Sequence, residues 1–344
     1  MGFKNTISKL RAAMMARISK NYRYPLYMYF LLTHRCPFSC QYCNVIGSVT
    51  EEEELSTAEV TGIIDRMADA GTQKIQFTGG EPMMRKDIAE IVKKSKERNI
   101  FTGISTSGYL IPEKINGISG LDIAILSLEG EEELHDNVRG SGSFNTVKQA
   151  MEALKGAGIR YWITMVVNKI NKRSIDFILN WARKDGFLVN FVVLHSRNEN
   201  YLSYFDDIET AEIFIPDSEE YKKIVQELID KKKAGFPVSN TINYLKDLLT
   251  WQDYSKQYDA VNKDYRCWAG RLYGVLEPDG MLFPCGMRHS RVTGRSVKHL
   301  GFKEAFSGLQ KPSCEKCLSA CHTEQNLIFS FKLSAIKNWL SVIQ

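Results

Sequence analysis

From residue 25 onward the chain alternates short apolar blocks with longer amphipathic ones. The block Pro25-Leu26-Tyr27-Met28-Tyr29-Phe30-Leu31-Leu32 is apolar and aromatic, as a buried strand requires. Similar blocks predict strands at 74–78, 101–106, 123–128, 161–167 and 188–194. Between them, helical spacing marks 86–98, 144–155 and 174–184. An earlier helix runs from residue 57 through Ile63, Ile64 and Met67 to about Gly71, with Ser56 placed to cap it and Glu59 to close a capping box. Strands alternating with helices at this pace imply right-handed βαβ units and a parallel sheet. Six such strands over residues 25–195 predict an α/β fold, a partial (β/α)6 parallel barrel.

The flanks read differently. Residues 1–24 interleave Lys4, Lys9, Arg11, Arg17, Lys20 and Arg23 with Phe3, Ile7, Leu10, Met14, Met15 and Ile18. This is a basic amphipathic segment that suits either an anionic membrane surface or the protein's own body. Residues 196–264 are more polar and form a helical connector, clearest at 220–232. Residues 265–325 form a small cysteine-rich domain in which Pro278-Asp279-Gly280 signals a hairpin turn. Residues 326–344 are an apolar amphipathic helix that packs on the protein or touches lipid. No apolar run reaches the roughly 18 to 20 residues that cross a bilayer.

With 344 residues and 44% hydrophobic content the chain can bury a large core. A net charge of +5, set against 40 acidic residues, gives no footing for a nucleic-acid partner. The eight cysteines change the picture more. Cys36, Cys40 and Cys43 form one group and Cys267, Cys285, Cys314, Cys317 and Cys321 another. Tight spacing inside a large chain, without a signal-peptide pattern, points to metal or cluster ligation in a reducing, cytoplasmic setting rather than to disulfides.

In a barrel of this kind the working loops gather at the C-terminal ends of the strands. The polar, glycine-rich segments fall there: Cys36 to Cys43 after the first strand, Thr78-Gly79-Gly80-Glu81-Pro82 after the second, Ser105 to Gly108 after the third, Ser127-Leu128-Glu129-Gly130 after the fourth. Asn168 and His195 close the fifth and sixth. The spacing Cys-x3-Cys-x2-Cys supplies three thiolates and no fourth, so it can hold three irons of a [4Fe–4S] cluster and leave one open. Zinc with His34 as fourth ligand is the alternative. Taken singly, Gly79-Gly80-Glu81-Pro82 also suits any helix start, His135-Asp136 suits a helix cap, and Tyr42 suits a core.

Together these motifs resemble the radical S-adenosylmethionine (radical SAM) superfamily. The resemblance implies a [4Fe–4S] cluster on Cys36, Cys40 and Cys43 whose open iron chelates S-adenosylmethionine, which one electron then cleaves to a 5′-deoxyadenosyl radical. It implies Tyr42 beside the adenine, and Gly79, Gly80 and Glu81 at the methionine ammonium. Ser105 belongs to a turn that in the family reads Thr-Asn-Gly, with Ser107 where asparagine is usual. Ser127 and Glu129, the latter where aspartate is usual, become ribose-side contacts, and Arg139 a carboxylate partner or loop anchor. The second cysteine group resembles the auxiliary-cluster extension called SPASM or, shortened, Twitch. The resemblance implies a second [4Fe–4S] cluster on Cys267, Cys285, Cys314 and Cys317, with Cys321 as substitute or lining residue. A zinc knuckle that includes His322 is the alternative there. Arg271, Arg288 and His289 suit an anionic substrate or solvated surface.

The expected function is therefore reductive cleavage of S-adenosylmethionine, with hydrogen abstraction from an unactivated carbon of a small or amphiphilic, lipid-like metabolite. A flavodoxin- or ferredoxin-type protein would donate electrons, the auxiliary cluster would assist the redox chemistry, and peripheral membrane contact is open. The short segment before the barrel leaves no room for a precursor-peptide recognition domain, and the amphipathic ends favour a greasy substrate. The alternative within the class is a maturase that crosslinks or oxidises a peptide or protein side chain. The alternative from another class is a non-catalytic iron–sulfur or zinc scaffold.

Overall fold

The computed structural model describes residues 14–19, 22–43, 50–194, 213–254, 265–286, 293–314 and 316–343. His195, Arg288 and His289 lie outside the described residues, as do most of the N-terminal segment and parts of the connector.

Six parallel strands carry the fold: β1 (Tyr27–Thr33), β2 (Lys74–Gly79), β3 (Phe101–Thr106), β4 (Ile123–Ser127), β5 (Tyr161–Val167) and β6 (Leu188–Val193). They pair in sequence order, so every crossover joins neighbours. The crossover helices are α1 (Thr57–Asp69), α2 (Ile88–Glu97), α3 (Glu132–Arg139), α4 (Ser143–Gly156) and α5 (Ile175–Asp185). Helix α1 starts as its sequence predicts: the Glu59 amide donates to Ser56 Oγ at 3.4 Å, and the Ser56 amide donates to Glu59 Oε2 at 2.8 Å. Most boundaries fall within a residue or two of the pattern.

Side-chain parity divides the sheet into two unlike faces. Phe30, Phe77, Ile104, Leu126, Ile163 and Val189 are essentially fully buried beneath the helices and belong to one continuous core. Each such residue contributes about 1.5–3 kcal/mol relative to an exposed side chain. The opposite, concave face stays half-buried along Tyr29, Ser105, Ile125, Trp162, Thr164 and Asn190. A closed eight-stranded barrel fills this space with interlocking side chains. Here polar and aromatic groups share the concave face, with Gln76 Nε2 donating to Ser105 Oγ at 3.1 Å and Asn240 Nδ2 to Asn190 Oδ1 at 3.1 Å.

The cysteine-rich region is sewn onto this sheet. Strand β7 (Tyr273–Leu276) pairs in parallel with β1, and β8 (Met281–Phe283) and β9 (Arg295–Ser296) continue it antiparallel. The predicted turn closes β7 onto β8, with the Glu277 amide donating to the Met281 carbonyl at 2.8 Å. The nine-stranded order β6-β5-β4-β3-β2-β1-β7-β8-β9 therefore continues the barrel sheet into the second cysteine group.

The connector supplies α6 (Ser218–Lys233) and α7 (Ile242–Leu249). Beyond the short helix α8 (Phe302–Ser307), α9 (Ala320–Phe329) and α10 (Leu333–Ile343) close the chain. Both terminal segments touch the protein itself: Arg271 Nη2 donates to the Ala16 and Ser19 carbonyls, Arg17 lies over the Phe331 ring at 4.5 Å, and Asn338 Nδ2 donates to the Ser239 carbonyl at 2.8 Å. Arg271, read from sequence as a substrate contact or solvated surface, is instead a buried strut. Among the described residues no helix is long and apolar enough to cross a membrane.

Candidate functional site

The rim of the lumen is built by the C-terminal ends of β1 to β5. Its base is a backbone contact. The Gly80 amide donates to the Thr33 carbonyl and the Glu81 amide to the Arg35 carbonyl, both at 2.8 Å, so the exit of β2 is tied to the segment that enters the first cysteine loop. Gly79 has φ +131°, and a Cβ there would lie 2.2 Å from the Thr33 oxygen; at Gly80 it would lie 2.4 Å from the Arg35 oxygen. Glycine occupies both positions because two backbones pass where no side chain fits.

Glu81 is almost fully buried, yet its carboxylate is fully engaged by the protein. Oε1 accepts from Thr106 Oγ1 at 2.7 Å and the Met83 amide at 3.0 Å, while Oε2 accepts from the Ser107 amide at 2.7 Å and Ser107 Oγ at 2.6 Å. Ser107 is thus held by Glu81. Ser105 faces the lumen beside Gln76, and Ser127 ends β4 opposite Thr164.

A second knot joins the cysteine loop to β4. Arg139, at the end of α3, donates to Glu129 Oε1 through Nη2 at 2.7 Å and Nε at 3.1 Å, to Tyr42 Oη at 3.0 Å, and through Nη1 to Cys40 Sγ at 3.8 Å. Tyr42 Oη also bonds to Glu129, and Asn171 Nδ2 donates to Glu129 Oε2 at 3.2 Å. Beneath them the Glu129 amide donates to His135 Nδ1 at 3.0 Å. Burial, reinforced by Arg139, pushes the His135 pKa down to about 3, so its ring stays neutral. The Gln41 amide reaches the Val138 carbonyl at 3.4 Å, and Phe38 packs edge-on against Tyr109 at 5.8 Å. The structure brings Cys36, Cys40, Cys43, Tyr42, Gly79, Gly80, Glu81, Ser105, Ser127, Glu129 and Arg139 to one end of the barrel.

The donor set suits an iron–sulfur cluster. Burial pushes the Cys36 thiol up to about 11, with Glu81 and the other two thiols adding, and burial raises Cys40 as well, against Arg139. Three thiolates in such a place need a cationic core to hold them deprotonated. His34, the alternative fourth ligand, is turned away: its Nε2 pairs with Glu277 Oε2 at 2.8 Å, at the β7–β8 turn. Among the described residues no three His, Cys, Asp or Glu side chains stand close enough for a single metal ion. Thiols around a four-iron core lie farther apart than around one ion.

In the second group Cys267, Cys285, Cys314 and Cys317 are buried and Cys321 is exposed. Tyr273 lies among them, with its hydroxyl 3.7 Å from Cys267 Sγ, and the thiols of Cys267, Cys285 and Cys317 all add to the burial that raises its pKa. Cys321, in the first turn of α9, acts instead on Lys74, Tyr27 and Tyr29 of the lumen floor. His322 sits between the rings of Tyr29 and Tyr273, at 5.4 and 5.5 Å, and bonds to Ser319 Oγ at 2.9 Å through Nδ1.

Sequence reasoning missed Asn171, although Asn168-Lys169-Ile170-Asn171 is a detectable turn in which Asn168 Oδ1 accepts from the amides of residues 170 and 171. It also missed Phe214, which covers Tyr42 edge-on at 6.3 Å from far along the chain and carries no local signal.

Comparison with known proteins agrees with this geometry. The model of the radical SAM superfamily matches residues 30–182. The PqqA peptide cyclase of Gluconobacter oxydans is 32% identical over 268 residues, covering 76% of this chain and 70% of that protein. The PqqA peptide cyclase of Granulibacter bethesdensis is 27% identical over 286 residues, covering 80% and 72%. Among solved structures, Streptococcus suis SuiB bound to precursor peptide SuiA superposes with a TM-score of 0.63 at 16% identity, covering 87% of this chain and 68% of SuiB. The chain belongs to the radical SAM superfamily, as an enzyme that uses S-adenosylmethionine and a [4Fe–4S] cluster and carries a C-terminal auxiliary-cluster region of the SPASM/Twitch type.

Proposed function

We propose that this enzyme is a peptide or protein maturase: it abstracts hydrogen from a side chain of a peptide lying in the lumen and oxidises or crosslinks that side chain. The half-buried concave face carries this reading. A concave face lined by Tyr29, Ser105, Ile125, Trp162, Thr164 and Asn190 offers hydroxyl groups and ring faces to an extended peptide chain. The names of the similar proteins, two peptide cyclases and a protein bound to a precursor peptide, support it. The expectation of a small or amphiphilic metabolite gives way accordingly. Its supports were the short segment before the barrel and the amphipathic ends, and those ends are tied to the chain itself through the Ala16 and Ser19 carbonyls and Asn338.

In this reading Cys36, Cys40 and Cys43 hold the first cluster, which when bound supplies the electron that cleaves S-adenosylmethionine. Gly79, Gly80 and Glu81 shape the wall at the methionine end, and Ser105 and Ser127 face the nucleoside end, where Glu129 holds Tyr42 and Arg139 from behind. Cys267, Cys285, Cys314 and Cys317 hold the auxiliary cluster, with Cys321 opening toward the substrate. The substrate would give up one hydrogen atom to the 5′-deoxyadenosyl radical and then one electron and one proton, the electron passing to the auxiliary cluster that the second cysteine group would hold and the proton to solvent. A flavodoxin- or ferredoxin-type donor would supply the first electron. Residues 25–195 would work as the radical-generating barrel and 265–325 as the auxiliary domain, joined by 196–264.

The test is mass spectrometry of peptides encoded beside the gene, incubated with reconstituted enzyme, S-adenosylmethionine and dithionite. A peptide that loses hydrogen in step with 5′-deoxyadenosine formation is expected. Turnover of a lipid extract with no change in any such peptide would overturn the reading. Thr164→Phe, which fills the lumen, should abolish peptide turnover and leave slow uncoupled cleavage intact.

A further inference from the structure

Among the described residues the Arg139 guanidinium is the one charged side chain with an N–H bonded to a thiol of the first cysteine group, and every other arm of it is occupied. Nη2 and Nε fork onto Glu129 Oε1 at 2.7 and 3.1 Å, Nη2 also meets Tyr42 Oη at 3.0 Å, and Nη1 is left for Cys40 Sγ at 3.8 Å. Glu129 cannot swing away, since Asn171 holds its other oxygen at 3.2 Å and the carboxylate is fully buried. The last turn of α3 is itself docked on the cysteine loop through the Gln41 amide and Gln41 Nε2, each 3.4 Å from a carbonyl of Val138 or Asn137. A residue free to serve only as a clamp for an incoming carboxylate would not need four hydrogen bonds to three fixed protein partners.

We propose that Arg139 is a positioning residue that sets the reduction potential of the first cluster, by holding a cationic N–H donor on the Cys40 sulfur, with Glu129 as its anchor. Reduction adds negative charge to a cluster and spreads it onto the ligand sulfurs. A fixed positive donor at one sulfur stabilises the reduced form more than the oxidised one and raises the potential. Glu129 acts in the opposite sense and more weakly on Cys40, because it is the guanidinium that bonds the sulfur. The two groups therefore form an oriented dipole with its positive end on the cluster. This inference rests on the assignment of Cys36, Cys40 and Cys43 as ligands, and not on the identity of the substrate.

The test is an EPR-monitored redox titration of the reconstituted full-length enzyme without S-adenosylmethionine. Arg139→Gln should make the first cluster about tenfold harder to reduce, which is about 59 mV toward negative potential for one electron. Glu129→Gln should shift it the other way, because it removes only the negative end of the dipole. Opposite signs support the proposal. Shifts of the same sign, or no shift in either variant, overturn it, the first being what loss of structure would produce. An unmoved potential with weakened S-adenosylmethionine binding overturns it too, by assigning Arg139 to the cosubstrate alone. If Arg139→Gln takes up no iron, Arg139→Lys is titrated instead: the shorter ammonium keeps the charge and loses the fork, so a smaller negative shift is expected and an unchanged potential overturns the proposal. Iron content after Cys36→Ala, Cys40→Ala and Cys43→Ala checks the ligand assignment separately.

Discussion

Gly79 passes so close to Thr33 that a Cβ built on it would lie 2.2 Å from the Thr33 carbonyl oxygen, at a φ of +131° that L side chains rarely adopt. Two strand exits are locked together there, three residues before the first cysteine, Cys36.

Gly79→Ala is expected to destabilise the protein by about 2–3 kcal/mol or more, from a strained backbone and an unavoidable clash with main chain. Gly142→Ala is the control. Gly142 also has positive φ, +80°, but open space around it, so it should lose only about 1 kcal/mol. Urea midpoints measure both, and only Gly79→Ala should also lower the iron retained per chain after reconstitution.

Glu81→Gln should loosen the turn after β3. The carboxylate accepts from Thr106, Met83 and twice from Ser107, and an amide can accept with one end only. Loss of charge-assisted bonds in a buried site is expected to lower stability by about 2 kcal/mol. Hydrogen exchange at the Ser107 amide should quicken out of proportion to the global change. An unchanged Ser107 exchange rate would show that the carboxylate is not what holds the turn.

His135 should make the apo-protein acid-sensitive below neutrality. Its pKa falls from an ordinary 6.5 to about 3 in the fold, through burial first and Arg139 second. Between those values the unfolded chain binds the extra proton, so the contribution is complete above about 6.5 and is lost as pH falls toward 3. The slope approaches about 1.4 kcal/mol per pH unit in that window. Stability against pH for wild type and His135→Gln, compared from pH 7 to 4, should differ by that slope; parallel curves would refute the assignment.

Much of the barrel was legible because its signals are local. Period-two apolar runs bounded by glycine or asparagine placed β1 to β6 to within a residue or two, and Ser56 with Glu59 announced the start of α1. The same locality explains what was hidden. Nothing near Tyr273 in the sequence says that β7 will pair with β1, or that His34 will meet Glu277, because these contacts join segments more than two hundred residues apart. Arg271 looked like surface for the same reason. Its partners, the Ala16 and Ser19 carbonyls, come from the other end of the chain.

By itself the sequence determined the class of chemistry. A three-thiol loop after the first strand, followed in order by Gly-Gly-Glu-Pro and the Ser127–Glu129 segment at later strand ends, specifies a rim, because strand ends in a parallel barrel converge whatever lies between them. Only the tertiary structure decided that Glu81 is spent on Ser107 and Thr106, and that Arg139 points at Cys40. Those outcomes depend on side-chain direction and on burial across distant segments, and a linear pattern encodes neither.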